Sequence, residues 1–178
     1  MIFLRHPKPD VAPGICYGRL DIQPGPGADA EIMSALGMLP RTRLVISSPA
    51  TRCQVLAEAI AHRDRAQCKS DARLLELDFG RWEGCAWDEI DRTESDLWAA
   101  DPWNVAPPGG ETFAALHARV REALVDFSGE DDLVVVTHAG PIRAARMILA
   151  GADFATVFAE PVAHAWPIRI NAMPAEAG

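Results

Sequence analysis

Apolar residues in this chain cluster in two ways. Short runs dense in β-branched or aromatic residues occupy residues 1–6, Arg43–Ser47 and 132–137. Runs of that length and composition predict buried strands of a parallel sheet. Elsewhere apolar residues recur at helical spacing: Ile32, Ala35, Leu36 and Leu39 within 28–39; Cys53, Leu56, Ala57 and Ile60; Phe113, Leu116, Val120, Leu124 and Phe127 within about 111–127. Each set predicts a helix with one buried face. Ser48-Pro49 predicts a helix start, with Ser48 as N-cap and Pro49 at the first helical position. A further helix is expected from Pro141 to about Ala150, stopped by Gly151. Ala72–Leu75 reads as a short strand, 87–100 as a helix ending before Pro102, and 163–171 as a last strand.

Breakers separate these elements. Five prolines and four glycines make 7–27 a loop. Residues 76–86 turn through Gly80 and Gly84, and Pro107-Pro108-Gly109-Gly110 is a hard break. Strands alternating with helices predict the α/β class, a three-layer α/β/α sandwich around a mostly parallel sheet. The expectation is a single domain over 1–178 with a short cap segment near 85–110.

Composition narrows the function. At 178 residues, with 49% hydrophobic and 24% charged content, the chain suits a globular domain with a large core. A net charge of −8 argues against a nucleic-acid partner. No apolar stretch approaches the ~20 residues of a membrane span, and no signal-peptide pattern opens the chain. The expectation is a cytoplasmic protein with Cys16, Cys53, Cys68 and Cys85 as reduced thiols. Cysteine and histidine spacing supports no metal site.

Chemistry gathers where strands stop. In open α/β sheets the ligand crevice lies beyond the carboxyl ends of the strands. Arg5-His6 ends the first apolar run and His138 a later one, each followed at once by Pro or Gly. Alone, Arg5-His6 reads as a surface pair. Arg52 changes that reading, because it falls in the first turn of a helix that directly follows a strand. A helix N-terminus attracts anions, and an arginine there opposes the dipole unless an anion is near. Two imidazoles and two guanidiniums at one crevice suit a phosphate ester. A histidine can attack phosphorus, arginines can clamp the oxygens, and a carboxylic acid can protonate the leaving group.

These residues sit in five stretches that occur in one order: Leu4-Arg5-His6; Ser47-Ser48-Pro49-Ala50-Thr51-Arg52; residues 75–84, from Leu75-Glu76 to Trp82-Glu83-Gly84; Pro108-Gly109-Gly110-Glu111-Thr112; and Val135–Arg143 with His138-Ala139-Gly140-Pro141. In this the chain resembles the histidine phosphatase superfamily, the phosphoglycerate-mutase-like fold. The resemblance implies that His6 is the phosphorylated nucleophile and that Arg5, Arg52 and His138 form the phosphate pocket. No cofactor and no metal are expected, because arginines and histidines already supply the positive charge. Glu76 matches the family's proton donor and is preferred to Asp78, its neighbour two residues on. Such an acid role requires a raised pKa. Glu83 is read as structural. Glu111 either favours the dipole of the helix it opens or stands at the pocket rim. Where family members carry Gly after Arg-His, this chain has Pro7, which removes an N–H from the loop.

Cys16–Asp21 resembles a subset that includes α-ribazole-phosphate phosphatases. Arg19 then either reaches the substrate rim or pairs with Asp21. His62, His117 and His164 are read as surface or packing residues. Trp87, Trp98 and Trp103 could cover the pocket mouth, with packing under the cap the preferred reading.

A mutase must bind a substrate carboxylate, yet Arg92 is the lone base among Asp88, Glu89, Asp91, Glu94, Asp96, Asp101 and Glu111. The interval from Glu76 to Glu111 is also too short for a long lid. The expectation is therefore a metal-independent phosphomonoesterase of the histidine acid phosphatase type. Its partner would be a small-molecule phosphate ester, with α-ribazole 5′-phosphate as the leading candidate. The alternatives are phosphoglycerate mutase-type transfer and a non-catalytic phosphate-binding module on the same fold. Oligomeric state is not legible.

Overall fold

Alternation along each strand divides the core into two faces. In the computed structural model, which describes residues 1–130 and 132–171, β1 is Ile2–Arg5, β2 Leu44–Ser47, β3 Gln67–Ser70, β4 Leu133–Thr137 and β5 Ile168–Arg169. The end of the domain expected over 1–178 lies outside the described residues. Phe3, Leu44, Ile46, Leu133 and Val135 pack against α4 (Phe113–Asp126) and α5 (Ala139–Ala150). Their neighbours Leu4, Val45, Val134 and Val136 pack against α1 (Ala28–Met38) and α2 (Thr51–Asp64). The result is the expected three-layer sandwich. Leu56, Ile60, Leu116 and Val120 are fully buried on the two helical layers, each worth about 1.5–3 kcal/mol of apolar burial.

The sheet order is β3-β2-β4-β1-β5. The first four strands are parallel, and β5 runs antiparallel to β1. Register pairs Arg5 with Thr137 and Ser47 with Val136. The chain therefore leaves β1, β2 and β4 side by side, at His6, Ser48 and His138.

Several boundaries differ from expectation. Ala72–Leu75 is not a strand: Ala72–Leu74 is a 3-10 turn, capped by Asp71 accepting from the Arg73 N–H. The edge strand is Gln67–Ser70, whose four residues are exposed and carry no apolar alternation to announce it. The helix expected over 87–100 is α3, Arg92–Ala100, capped by Asp91. Gly151 ends α5 in a left-handed conformation as expected, but α5 starts at Ala139 rather than Pro141. A short helix α6, Phe154–Ala159, was not foreseen, and the last strand shrinks to Ile168–Arg169.

Ser48 is not the N-cap of α2. That helix starts at Thr51, and its cap comes from across the chain: Asp21 accepts from the Thr51 N–H at 2.9 Å and from its hydroxyl at 2.6 Å.

At the other end of α2, the buried Asp64 carboxylate accepts from Arg63, Arg41 and the Thr42 N–H. Arg63 holds the carboxyl down to about 2 against the opposing effect of burial, and Arg41 and Thr42 reinforce it. A depressed carboxyl stabilises the fold above its ordinary value of 3.8 and loses that contribution as pH falls toward 2. Asp64→Asn is expected to lower the urea midpoint at neutral pH and to flatten its decline below pH 3.8. Parallel midpoint-against-pH curves for the two proteins would refute this assignment.

Candidate active site

The end of β1 delivers two cationic or basic groups in succession. Arg5 donates through Nη1 to the Val162 carbonyl at 2.9 Å, while its Nε is buried with no partner among the described residues. His6 is 1% exposed. Its Nδ1 lies 2.7 Å from the Pro7 carbonyl oxygen. A carbonyl only accepts, so Nδ1 carries the hydrogen and a neutral ring keeps its lone pair on Nε2. Burial, then Arg52 and Arg5, push His6 well below its ordinary 6.5, against the raising effect of the Pro7 carbonyl. Pro7 thus supplies the acceptor that sets the tautomer, a task that its missing N–H does not affect.

The end of β4 brings His138 to His6, with ring centroids 5.1 Å apart and edge to face. His138 is fully buried as the N-cap of α5. Its Nε2 meets the Ser48 hydroxyl at 2.8 Å and its Nδ1 the Arg52 Nη2 at 3.3 Å. A guanidinium only donates, so Nδ1 accepts and Nε2–H donates to Ser48. This explains why Ser48 does not cap α2. Burial, then His6 and Arg52, lower His138 well below 6.5.

Arg52 completes the cluster from the first turn of α2. It is fully buried, not a surface arginine, and its guanidinium donates to the carbonyls of Gly18 at 2.5 Å and Leu20 at 2.8 Å. Its Nε has no partner among the described residues. Arg5, His6, Arg52 and His138 therefore converge as the sequence led us to expect.

The two acids part company. The Glu76 carboxylate accepts from the Gly140 N–H at 3.0 Å and from its neighbour Leu77 N–H at 3.0 Å, and it lines the cavity beside Arg5. A Cβ at position 140 would stand 2.2 Å from Glu76 Oε1, so a larger residue there would push the carboxylate from this place. Asp78 instead caps the Gly80 N–H at 2.9 Å and meets Arg19 at 3.3 Å. Arg19 also reaches Glu111 at 3.4 Å. It does not pair with Asp21, which is occupied at the start of α2.

Glu111 is not in the first turn of α4 either. Thr112 caps that helix, and Glu111 takes both the Nε and Nη2 of Arg119 at 2.8 and 2.9 Å. Glu83 is structural, accepting the N–H groups of Gly18, Arg19, Leu20 and Phe79.

Some residues at the site escaped the sequence reading. Arg119 donates to the carbonyls of Arg73, Leu75 and Glu76, and so fixes the segment that carries the acid. Arg143 of α5 lines the cavity. His164, read as packing, lies 5.2 Å from the His6 ring and bonds the His6 carbonyl through Nδ1 at 3.0 Å. Its spacing in the sequence carries no signal; the pairing of the 162–165 segment with the end of β1, including Ala165 N–H to the Arg5 carbonyl, brings it there. His117 packs on Trp103 as expected. Trp87 and Trp98 line the cavity, whereas Trp103 packs among Phe113, His117 and Phe154.

The chain is similar to known phosphatases. The chain is 28% identical over 162 residues to phosphoserine phosphatase 1 of Hydrogenobacter thermophilus, covering 86% of this chain and 77% of that one. It is 27% identical over 162 residues to glucosyl-3-phosphoglycerate phosphatase of Mycobacterium tuberculosis, covering 81% and 72%. Among solved structures, a mycobacterial glucosyl-3-phosphoglycerate phosphatase in complex with VO3 superposes with a TM-score of 0.79 at 25% identity, over 92% of this chain and 86% of that one. The α-ribazole phosphatase of Shigella flexneri shares the fold, with a TM-score of 0.82 at 20% identity over 93% and 87%. A model of the histidine phosphatase superfamily (branch 1) matches residues 1–171, nearly the whole chain, and the chain belongs to that superfamily.

Proposed function

We propose that this protein hydrolyses a small phosphate monoester through a phosphohistidine, without a metal. The observation that carries the reading is the state of His6: its Nδ1–H is spent on the Pro7 carbonyl, which leaves the lone pair on Nε2, and its ring lies beside His138 with Arg52 and Arg5 near enough to lower its pKa. Family membership and relatives named as phosphatases support phosphoric monoester hydrolysis as the reaction class.

In the first step Nε2 attacks phosphorus, the P–O ester bond breaks, and its electron pair leaves on the alkoxide, which takes a proton from Glu76. In the second step water attacks phosphorus. Glu76 takes the water's proton, the P–N bond breaks, and inorganic phosphate departs with His6 restored. The unpartnered Nε–H groups of Arg5 and Arg52 are free to donate to phosphoryl oxygens. His138 donates as well once the incoming dianion draws its Nε2–H from the Ser48 hydroxyl. We assign Arg19 and Glu111, which pair at 3.4 Å, to the substrate rim, and residues 85–110 to the cap. An aromatic lining of Tyr17, Phe79, Trp87, Trp98, Phe113 and Phe158 favours an apolar or aromatic leaving group. α-Ribazole 5′-phosphate is the leading single candidate.

Hydrolysis of p-nitrophenyl phosphate is expected to persist in excess EDTA, because arginines and histidines already carry the positive charge. Activity lost in EDTA and restored by Mg²⁺ or Zn²⁺ would overturn the metal-free site. No hydrolysis at all would favour a binding module. Comparing kcat/KM for α-ribazole 5′-phosphate, 3-phosphoglycerate and a sugar phosphate tests the substrate, and efficient phosphoglycerate mutase turnover would overturn the hydrolase reading.

A further inference from the structure

The cavity is larger than a phosphoryl group needs, at about 250 Å³; about 150 Å³ is enough to hold a benzene ring. Phe79, Trp87 and Trp98 form one part of its lining, with the two indoles stacked at 5.9 Å and 25°. Phe113 and Phe158 form another, edge to face at 5.0 Å. Arg143 of α5 is set into this apolar lining. Its Nε donates to the Val157 carbonyl at 2.9 Å, and its guanidinium carbon lies 5.0 Å from the centre of the Phe158 ring. Those two contacts fix the guanidinium and leave four of its five N–H donors without a partner among the described residues. Glu76, whose charge acts on Arg143, already serves the Leu77 and Gly140 N–H groups. A fixed, half-buried donor fork that faces the cavity is placed to bind an acceptor on a ligand in exchange for water.

We propose that Arg143 is a specificity-determining residue: the cavity takes an aromatic leaving group whose hydrogen-bond acceptor, best a carboxylate, binds the Arg143 fork. The neutral ring nitrogen of an azole is a weaker acceptor of the same kind. Arg92 is the lone base between Cys85 and Glu111, and Arg143 reaches the cavity from outside that segment. This inference rests on the phosphomonoesterase reading.

The test compares kcat/KM for 4-carboxyphenyl phosphate and phenyl phosphate. Wild type is expected to favour the carboxylated ester by about tenfold to a hundredfold, the range of one charge-assisted hydrogen bond. Arg143→Met should remove that preference, and Arg143→Lys, which keeps the charge without the fork, should keep only part of it. Intrinsic reactivity cancels when the ratio of the two esters is compared between variants. No preference in wild type, or an equal fall for both esters in Arg143→Met, would overturn the proposal; the second result would assign Arg143 to the common phosphoryl group.

Should Arg143→Met not fold, inhibition of wild type by 4-hydroxybenzoate and by phenol reads the same contact. The benzoate is expected to inhibit at the lower concentration, and equal inhibition counts against the proposal. Wild-type hydrolysis of phenyl phosphate reports separately on the phosphomonoesterase reading.

Discussion

His6→Ala is expected to lower kcat/KM by at least about 10⁴-fold for every phosphate monoester, the scale seen when a covalent nucleophile is removed. Wild-type protein quenched during turnover should carry acid-labile phosphate, and the variant none. The size of the effect follows from the site's geometry. His6 is the imidazole whose Nδ1 hydrogen is committed to a backbone carbonyl, so its Nε2 alone offers a lone pair. His138 cannot replace it, because both of its nitrogens are engaged by Ser48 and Arg52. Since burial keeps His6 neutral below its ordinary 6.5, phosphate should still be trapped in mildly acidic solution. Full activity in His6→Ala would sink the mechanism.

Glu76→Gln should slow hydrolysis of alkyl phosphates by about 10²–10⁴-fold, the range of general acid catalysis, and hydrolysis of p-nitrophenyl phosphate far less. An alkoxide needs a proton as it departs, whereas p-nitrophenolate hardly does. The Glu76 side chain is held at the N-terminus of α5 by Gly140 and its backbone by Arg119. Asp78 is turned to Gly80 and Arg19 instead. If Asp78→Asn shows the leaving-group dependence and Glu76→Gln does not, the acid assignment moves to Asp78.

The features legible in the sequence were those that the chain encodes locally. The β1 and β4 runs are apolar throughout because both faces of the sheet are covered, and their ends name His6 and His138. The β1–β4 register then sets the two imidazoles side by side. Arg52 was readable from its place after a strand.

What escaped notice depends on partners distant in sequence. Gln67–Ser70 is an exposed strand that pairs with β2 alone, so its residues never needed an apolar pattern. Arg119 and Arg143 sit at ordinary helical positions, and only the folded chain shows that one holds three carbonyls and the other enters the cavity. Ser48-Pro49 has the pattern of a helix start, yet Asp21, thirty residues before Thr51, caps α2 instead.

Glu83 draws four N–H groups to one carboxylate, three from residues 18–20 and one from Phe79. The loop that carries Arg19 and the segment that carries Glu76 are thereby a single unit of exchange. An engineer who wished to retune this enzyme by grafting the 16–21 loop of a relative would have to keep the backbone path of residues 18–20, because Glu83 holds N–H groups and not side chains. A loop of another length would leave that carboxylate short of partners and loosen the segment that carries the acid.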